Sequence, residues 1–579
     1  MNDRPPVPQS SESDHPQSSD VSDLWRASAG AAEARPRSDA VESGRSRLAI
    51  LAAVFLVAFG AVGWRLFDLC LDPPEAKEHA VQSGLRAERA DIVDRNGELL
   101  ARDLTLYDIS LNPDILTDKS ATAKALASAL PSKLDAKVLK KRFTSGKTFA
   151  YVMRDATPRE ADAVHSLGIP GVVYAHAPQR AYPQGSLFSH VLGYVNVDNK
   201  GIAGMELARD DLLRSRGPSG APLQLSVDTQ IQFAVRDVIH DGMASYGAGG
   251  GIGIVMDVTN GEVLSLVSLP DFDPNHRPNK NDDSMKNRAT SSLYEMGSTF
   301  KSFTFAIGFE TGTLKLGDSF DATHPIKVGG RLIHDFHAEN KWLTATQVFL
   351  KSSNIGAAEM ALRFGPGKQR EYFQKFGILA PSPIELPEVA PPILQNQWGQ
   401  VETATMAYGY GVAVSPVQLA TGIAALVNGG DYIAPTLIKR ADNVLIDRRE
   451  VVSAHTCDLI RGLFRANVED GTGKSANIPG YDVGGKTGTA NKLLSKGGYA
   501  ENQRVASFVS IFPSDAPRYL VLVMLDDPVM VPGNSYQVPT GGATAAPLSG
   551  LIIRRIAPIL GMPPESQQVE AEEVQNKRL

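Results

Sequence analysis

From Leu48 to Trp64 the chain carries 17 consecutive residues without a charge. A stretch this apolar either crosses a bilayer or is wrapped in protein, and it sits at the short end of the length a span needs. It extends if Arg65 snorkels and Leu66 and Phe67 dip into lipid. Arg35, Arg37, Arg45 and Arg47 precede it, while Trp64 and Arg65 close it as interface anchors. The arginine-rich side is the cytoplasmic side, so the run reads as a retained signal anchor over residues 48–70 with everything beyond it outside the membrane. Two rival readings fit less well. Ala61-Val62-Gly63 has the small residues of a cleavage site, but a signal peptide rarely has so long a polar lead. Cys70 follows Phe67-Asp68-Leu69, which puts an acid where a lipoprotein signal needs a small residue. Residues 1–47, rich in Ser, Pro, Asp and Arg, have too few aliphatic clusters to fold and read as a disordered cytoplasmic tail.

A chain of 579 residues is too long for one ordinary domain, and 42% apolar with 21% charged residues is a globular composition. The net charge of −6 gives no reason to expect nucleic acid as a partner. Two cysteines, Cys70 and Cys457, make neither a disulfide framework nor a metal-ligand spacing.

From residue 71 to about 220 the chain mixes short strand-like and helix-like pieces. Asn96-Gly97 marks a hairpin turn inside Arg89–Ala101. Arg180-Ala181-Tyr182-Pro183-Gln184-Gly185 and Gly201-Ile202-Ala203-Gly204-Met205-Glu206 have no spacing that demands chemistry, and structural turns with ion pairs account for them. After Gly217-Pro218-Ser219-Gly220 the texture changes. Leu223–Val227 reads as a strand and Thr229–Ile239 as a helix. Gly253–Val258 and Glu262–Val267 flank a second hairpin turn at Asn260-Gly261. Residues 400–427 read as largely helical, broken at Gly411 and Pro416. Val505–Phe512 and Tyr519–Leu525 are the last strong strands. The order points to an α+β fold, with an antiparallel sheet and segregated helices over 221–562, and a loose charged tail over 563–579.

Tyr294-Glu295-Met296-Gly297-Ser298-Thr299-Phe300-Lys301 precedes an apolar run that reads as a helix opening at or near Ser298. Three-residue spacing puts Ser298 and Lys301 on one helix face. A serine beside an amine that burial keeps neutral is a nucleophile beside its base, and the helix N-terminus favours developing negative charge. Two Ser-Asn candidates follow: Ser352-Ser353-Asn354, in a short break between two helical runs, and Ser475-Ala476-Asn477, in a polar turn. The first presents a hydroxyl and an amide from packed helices and is chosen. Val483–Ala490, containing Lys486-Thr487-Gly488-Thr489, reads as an edge strand offering an ammonium, two hydroxyls and backbone N–H groups to a ligand carboxylate and an oxyanion.

S-x-x-K, S-x-N and K-T-G in that order resemble the signature set of penicillin-binding transpeptidases and serine β-lactamases. R-A-D-I-V-D-R-N-G, R-A-Y-P-Q-G and G-I-A-G-M-E resemble the N-terminal boxes of class B penicillin-binding proteins, nearest to the division-specific transpeptidases of Gram-negative bacteria. The likeness covers residues 48 to 560. Ala90 stands where the first box usually has glycine, and Ser353 where β-lactamases commonly have Asp. The resemblance implies a non-catalytic pedestal for dimerisation or partner binding over 71–220. It also implies a transpeptidase domain over 221–562 that cross-links peptidoglycan stem peptides and is blocked by β-lactams. It assigns Ser298 as nucleophile, Lys301 as acylation base and Ser352 as proton relay. Asn354 would hold the substrate amide, and Lys486, Thr487, Gly488 and Thr489 its carboxylate, with the N–H groups of Ser298 and Thr489 as oxyanion hole. It implies no cofactor and no metal. Its partners would be a membrane glycan polymerase and other division proteins, at a single-pass inner-membrane location with a periplasmic catalytic domain. About 24 residues between the apolar run and the first box leave no room for a glycosyltransferase domain.

Three rivals remain. Gly480–Thr487 matches G-x-x-x-x-G-K-[ST], with a strand and acid downstream at Tyr519–Asp526, as in a P-loop nucleotide site. A P-loop must follow a strand and open a helix, and this segment suits neither. A penicillin sensor or scaffold of the same fold would couple to a cytoplasmic effector, which a 47-residue disordered tail does not resemble. A β-lactamase needs a group that activates water, and no motif supplies one.

Overall fold

A computed structural model describes residues 52–64, 88–279, 281–493, 498–533, 538–562 and 564. The chain divides into two units, residues 1–84 and 85–579. In the first, residues 52–64 are helical. Among the described residues no helix is long and apolar enough to cross a membrane. The expected span of 48–70 and the expected tail of 563–579 lie partly outside them, and the expected tail of 1–47 lies wholly outside.

The second unit is centred on a five-stranded antiparallel sheet. Its strands are β1 (Gly250–Asp257), β2 (Val263–Leu269), β3 (Gly484–Leu493), β4 (Tyr499–Phe512) and β5 (Tyr519–Asp526), in spatial order β2-β1-β5-β4-β3. The apolar runs of β1, β2 and β5 do not alternate with polar residues because both sheet faces are covered. On β5, Val521, Val523 and Leu525 face a core shared with α1 (Thr229–Tyr246) and the C-terminal helix Ala545–Ile559, while Leu520, Leu522 and Met524 face the larger core opposite. Two glycines of β1 let α1 lie close: a Cβ on Gly253 would meet Val235 Cγ1 at 2.4 Å, and one on Gly251 would meet Ile239 Cγ2 at 2.4 Å.

Between β2 and β3 lies most of the helical mass. Helix α2 (Lys301–Glu310) is buried from Lys301 to Gly308, its Ser302 and Thr304 included, and runs through the larger core. Phe303 and Phe305 pack edge-on to Phe300 at 5.2 Å and Phe349 at 5.1 Å respectively. Helix α3 (Ala345–Leu350) and helix α4 (Asn354–Lys375) are separated only by Lys351–Ser353, the break expected there. Residues 400–427 are two helices, Gln400–Met406 and Pro416–Ala424, and the break holds a short strand, Val412–Val414, paired with Tyr294–Glu295.

Among the described residues the N-terminal part of this unit contains three small sheets, and its three sequence boxes meet in one buried ionic knot. Arg180 Nε donates to Glu206 Oε1 at 2.6 Å, Arg89 Nε donates to Glu206 Oε2 at 2.9 Å, and Arg180 Nη1 donates to Asp103 Oδ1 at 3.1 Å. Both guanidiniums and the Glu206 carboxylate are fully buried. The Asn96-Gly97 hairpin forms as expected, pairing Ile92–Val93 with Leu99–Leu104. The strand expected over Leu223–Val227 shrinks to Leu223–Gln224 and pairs in parallel with Ile92–Val93, not with the central sheet. The N–H groups of Leu223 and Leu225 find carbonyls at Asp91 and Val93, both at 2.9 Å, so this short strand stitches the two modules together.

Candidate active site

Three elements converge at the edge of the central sheet. The first is a 3₁₀ turn, Gly297–Phe300, that feeds α2, so Ser298 lies one turn before the α-helix proper and Lys301 opens it. Gly297 has φ +56°, and a Cβ there would lie 2.5 Å from the carbonyl oxygen of Thr489 on β3. The glycine thus lets the serine turn press backbone to backbone against the edge strand. The second element is the α3–α4 break, which presents Ser352 at φ +58° and Asn354 as the first residue of α4. The third is β3, the free edge of the sheet.

All eight residues expected at the site are brought together. Lys301 is wholly buried, and its Nζ lies 2.9 Å from Ser298 Oγ, 2.6 Å from the Ser352 carbonyl, 3.1 Å from Ser352 Oγ and 2.8 Å from Asn354 Oδ1. Two of these neighbours, the carbonyl and Asn354 Oδ1, are obligate acceptors, and they take the two N–H groups of a neutral amine. The lone pair is then left to a hydroxyl, which is able to donate. The pairing of Asn354 Nδ2 with the His334 carbonyl at 2.9 Å fixes which way the amide points. Burial, and next the neighbouring Lys486, hold the Lys301 amine well below the ordinary lysine range, while Asp335 opposes them.

Lys486 is also fully buried, and burial pushes it down to about 7. Its Nζ sits 3.2 Å from Ser352 Oγ and over the Phe349 ring at 5.5 Å from the centroid. Ser352 therefore bridges two buried amines. A cavity of about 410 Å³ opens in front of this array, lined by Ser298, Ser352, Asn354, Thr487 and Thr489 among others. Lys486 stands behind that wall, and Thr487 and Thr489 present its surface. Gly488 is packed inside the strand, where a Cβ would lie 2.4 Å from Ser507 Oγ and 2.6 Å from the Met296 carbonyl. The rejected candidate Ser475 hydrogen-bonds the Gly542 carbonyl and lies outside the cavity lining.

Sequence reasoning missed four contributors. Tyr408 and Tyr410 line the cavity, their rings 5.7 Å apart, and the doubled Tyr-Gly of residues 408–411 was the available signal. Thr472 joins its hydroxyl to that of Thr487 at 2.6 Å. Asp335 accepts from the Ser353 hydroxyl and from the backbone N–H groups of Asn354 and Ile355, and no motif pointed to it.

The P-loop reading is overturned here: Gly480–Thr487 runs into strand β3, with no helix N-terminus to cradle phosphates. Residues 251–550 match the penicillin-binding protein transpeptidase domain, and residues 85–217 match the penicillin-binding protein dimerisation domain. The chain belongs to the class B penicillin-binding proteins. It is 41% identical over 495 residues to the probable peptidoglycan D,D-transpeptidase FtsI of Caulobacter vibrioides, covering 84% of each chain. It is 27% identical to the peptidoglycan D,D-transpeptidase FtsI of Escherichia coli, over 89% of this chain and 91% of that one. Penicillin-binding protein 3 of Mycobacterium tuberculosis, solved in complex with aztreonam, superposes with a TM-score of 0.65 at 26% identity, covering 83% of this chain and 97% of that one.

Proposed function

We propose that this penicillin-binding protein is a serine D,D-transpeptidase that cross-links peptidoglycan stem peptides in septal wall synthesis, through an acyl-enzyme on Ser298. The observation that carries the reading is a wholly buried Lys301 amine 2.9 Å from Ser298 Oγ at the floor of an open cavity.

Ser298 Oγ bonds to the carbonyl carbon between two D-alanines as its proton passes to Lys301 Nζ. The N–H groups of Ser298 and Thr489 receive the oxyanion. The C–N bond then breaks, and the proton returns through Ser352 to the leaving amine, so D-alanine departs neutral in sum. In the second half the amino group of another stem peptide attacks the ester carbonyl. Its proton goes back along the same path, and Ser298 is restored as a hydroxyl. Asn354 holds the substrate amide, and Thr487 and Thr489, backed by Lys486 and Gly488, receive the carboxylate. β-Lactams enter by the first step and stay attached. No cofactor takes part.

The uncharged run at 48–64 and the arginines before it support a single-pass inner-membrane anchor, with residues 1–47 cytoplasmic and the catalytic domain periplasmic. Residues 71–220 form the pedestal in this reading and face a membrane glycan polymerase and other division proteins. A periplasm-dependent reporter should work when fused after residue 80 and fail at residue 40. Release of a chain beginning near Trp64 contradicts the anchor.

The test of the reaction is labelling of the full chain with a fluorescent penicillin, followed by mass mapping of the adduct. The adduct is expected on Ser298 and absent from Ser298→Ala. An adduct on Ser352 or Ser475 overturns the reading. Transfer from a synthetic thioester donor to D-alanine separates an enzyme from a penicillin sensor, which labels without turnover.

A further inference from the structure

Asp335 belongs to none of the three motifs, yet it is tied to two of them. It follows the strand Arg331–Ile333 and is half-buried beside the N-terminus of α4. Its carboxylate accepts from Ser353 Oγ at 2.8 Å, from the Asn354 N–H at 2.5 Å and from the Ile355 N–H at 3.0 Å. Ser353 Oγ in turn accepts from the Gly356 N–H at 3.1 Å. The orphan donors at the start of α4 thus converge on one carboxylate and one hydroxyl. The preceding carbonyl, of His334, fixes the Asn354 amide so that Oδ1 faces Lys301.

Two consequences follow for the chemistry. Ser352 sits at φ +58°, a conformation uncommon outside glycine, and it persists where the surroundings clamp it. That clamp places the Ser352 carbonyl and hydroxyl 2.6 Å and 3.1 Å from Lys301. The second consequence is electrostatic. Around Lys301, α2 and the 3₁₀ turn contribute the neutral Ser298, the α3–α4 break contributes the neutral Ser352 and Asn354, and β3 contributes the titratable amine of Lys486, which repels a charge on Lys301 when protonated. Asp335 is the anion whose charge acts on it, and the titratable and charged groups lining the cavity in front are His337, Lys351, Tyr408, Tyr410 and Arg504. Its field raises the affinity of Lys301 for a proton, against burial and Lys486.

We propose that Asp335 is a positioning residue of the acylation step, clamping the Ser352–Asn354 turn and supplying the negative charge that opposes Lys486 beside Lys301. This rests on the transpeptidase reading above. Without the charge, Lys301 is a weaker base that deprotonates at lower pH. Without the clamp, the groups that hold its N–H atoms aside lose their register.

The experiment measures the second-order rate of acylation of the full chain by a fluorescent penicillin across pH, for wild type, Asp335→Asn and Asp335→Glu. Asp335→Asn keeps the shape and one acceptor oxygen but loses the charge. Its rate at neutral pH is expected to fall about tenfold or more, and the acid limb of its profile to move to lower pH. Asp335→Glu restores the charge and is expected to return the limb toward its wild-type position. A wild-type rate in Asp335→Asn overturns the proposal, as does a slower rate with an unmoved limb, the mark of a purely structural cap. Thermal unfolding of each variant shows whether it is folded. If Asp335→Asn does not fold, a folded Asp335→Glu with a wild-type limb and measurable acylation supports the proposal, and one with a displaced limb overturns it. Failure of the transpeptidase reading looks different: wild type itself would carry no adduct on Ser298.

Discussion

Lys301 Nζ lies 2.9 Å from Ser298 Oγ and has no exposure to solvent, so the proton acceptor hydrogen-bonded to the nucleophile is an amine that burial disfavours charging. Replacing Lys301 with Arg keeps a cation and removes the base, because guanidinium stays protonated at any working pH. Penicillin acylation of Lys301→Arg should fall by roughly a hundredfold or more, as expected for loss of a general base. Stopped-flow labelling measures it, and near-normal acylation would show that Lys301 acts only as a charge.

Lys486 is the second buried amine, and its pKa near 7 has a stability consequence. An unfolded lysine titrates near 10.5, so between about 7 and 10.5 the unfolded chain binds more protons than the folded one. This term therefore makes the fold more stable as pH rises through that window, and it is most costly below about 7. Lys486→Met removes the charge and keeps the length. It should raise the unfolding free energy at neutral pH, by roughly 1–4 kcal/mol if it behaves like other buried-charge replacements. Acylation should slow at the same time by about ten- to a hundredfold, the cost of a charge-assisted contact of about 1.5–3 kcal/mol. Thermal unfolding at pH 6 and pH 9 checks the first effect: the gain over wild type should shrink at the higher pH.

The ionic knot gives the opposite kind of expectation, stability without chemistry. Glu206 is fully buried and accepts from both Arg89 and Arg180. Glu206→Gln leaves two buried guanidiniums short of an anion and should cost roughly 3–5 kcal/mol. The acylation rate of the remaining folded protein should stay within about twofold of wild type, a change of under 1 kcal/mol. A large loss of acylation at a temperature where the variant is fully folded would show that the knot reaches the site.

What the chain discloses before folding is periodicity and motif order. The strands 505–512 and 519–525 declare themselves because cover on both faces leaves a β-branched and aromatic run, unbroken in 519–525 and interrupted only by Ser507 and Ser510 in 505–512. Ser298, Ser352 and Lys486 declare themselves because each motif confines its chemistry to a few consecutive residues. Depth and long-range pairing are not written that way. Nothing in Lys486-Thr487-Gly488 says that the ammonium lies behind the cavity wall while the hydroxyl lies on it. Leu223–Gln224 looks like a first strand of the central sheet and pairs instead with Ile92–Val93, more than a hundred residues earlier. Asp335 is illegible for the same reason, since a carboxylate that caps a helix from a separate loop has no fixed sequence distance from it.

The last prediction separates backbone strain from backbone contact. Gly297 and Gly312 both have positive φ, +56° and +69°. A Cβ on Gly312 would meet nothing within 4 Å, whereas one on Gly297 would lie 2.5 Å from the Thr489 carbonyl oxygen. Gly312→Ala pays only the left-handed conformation, about 1–2 kcal/mol of stability, with acylation unchanged. Gly297→Ala pays that and must also push the serine turn off β3, because the obstacle is backbone and has no rotamer to yield. The distance between the N–H groups of Ser298 and Thr489 then changes, and a small misplacement of that kind costs about a hundredfold in rate. Penicillin acylation should therefore collapse in Gly297→Ala and survive in Gly312→Ala at matched fractions folded. Equal acylation in the two variants would show that the close approach of the turn to β3 is dispensable for the oxyanion site.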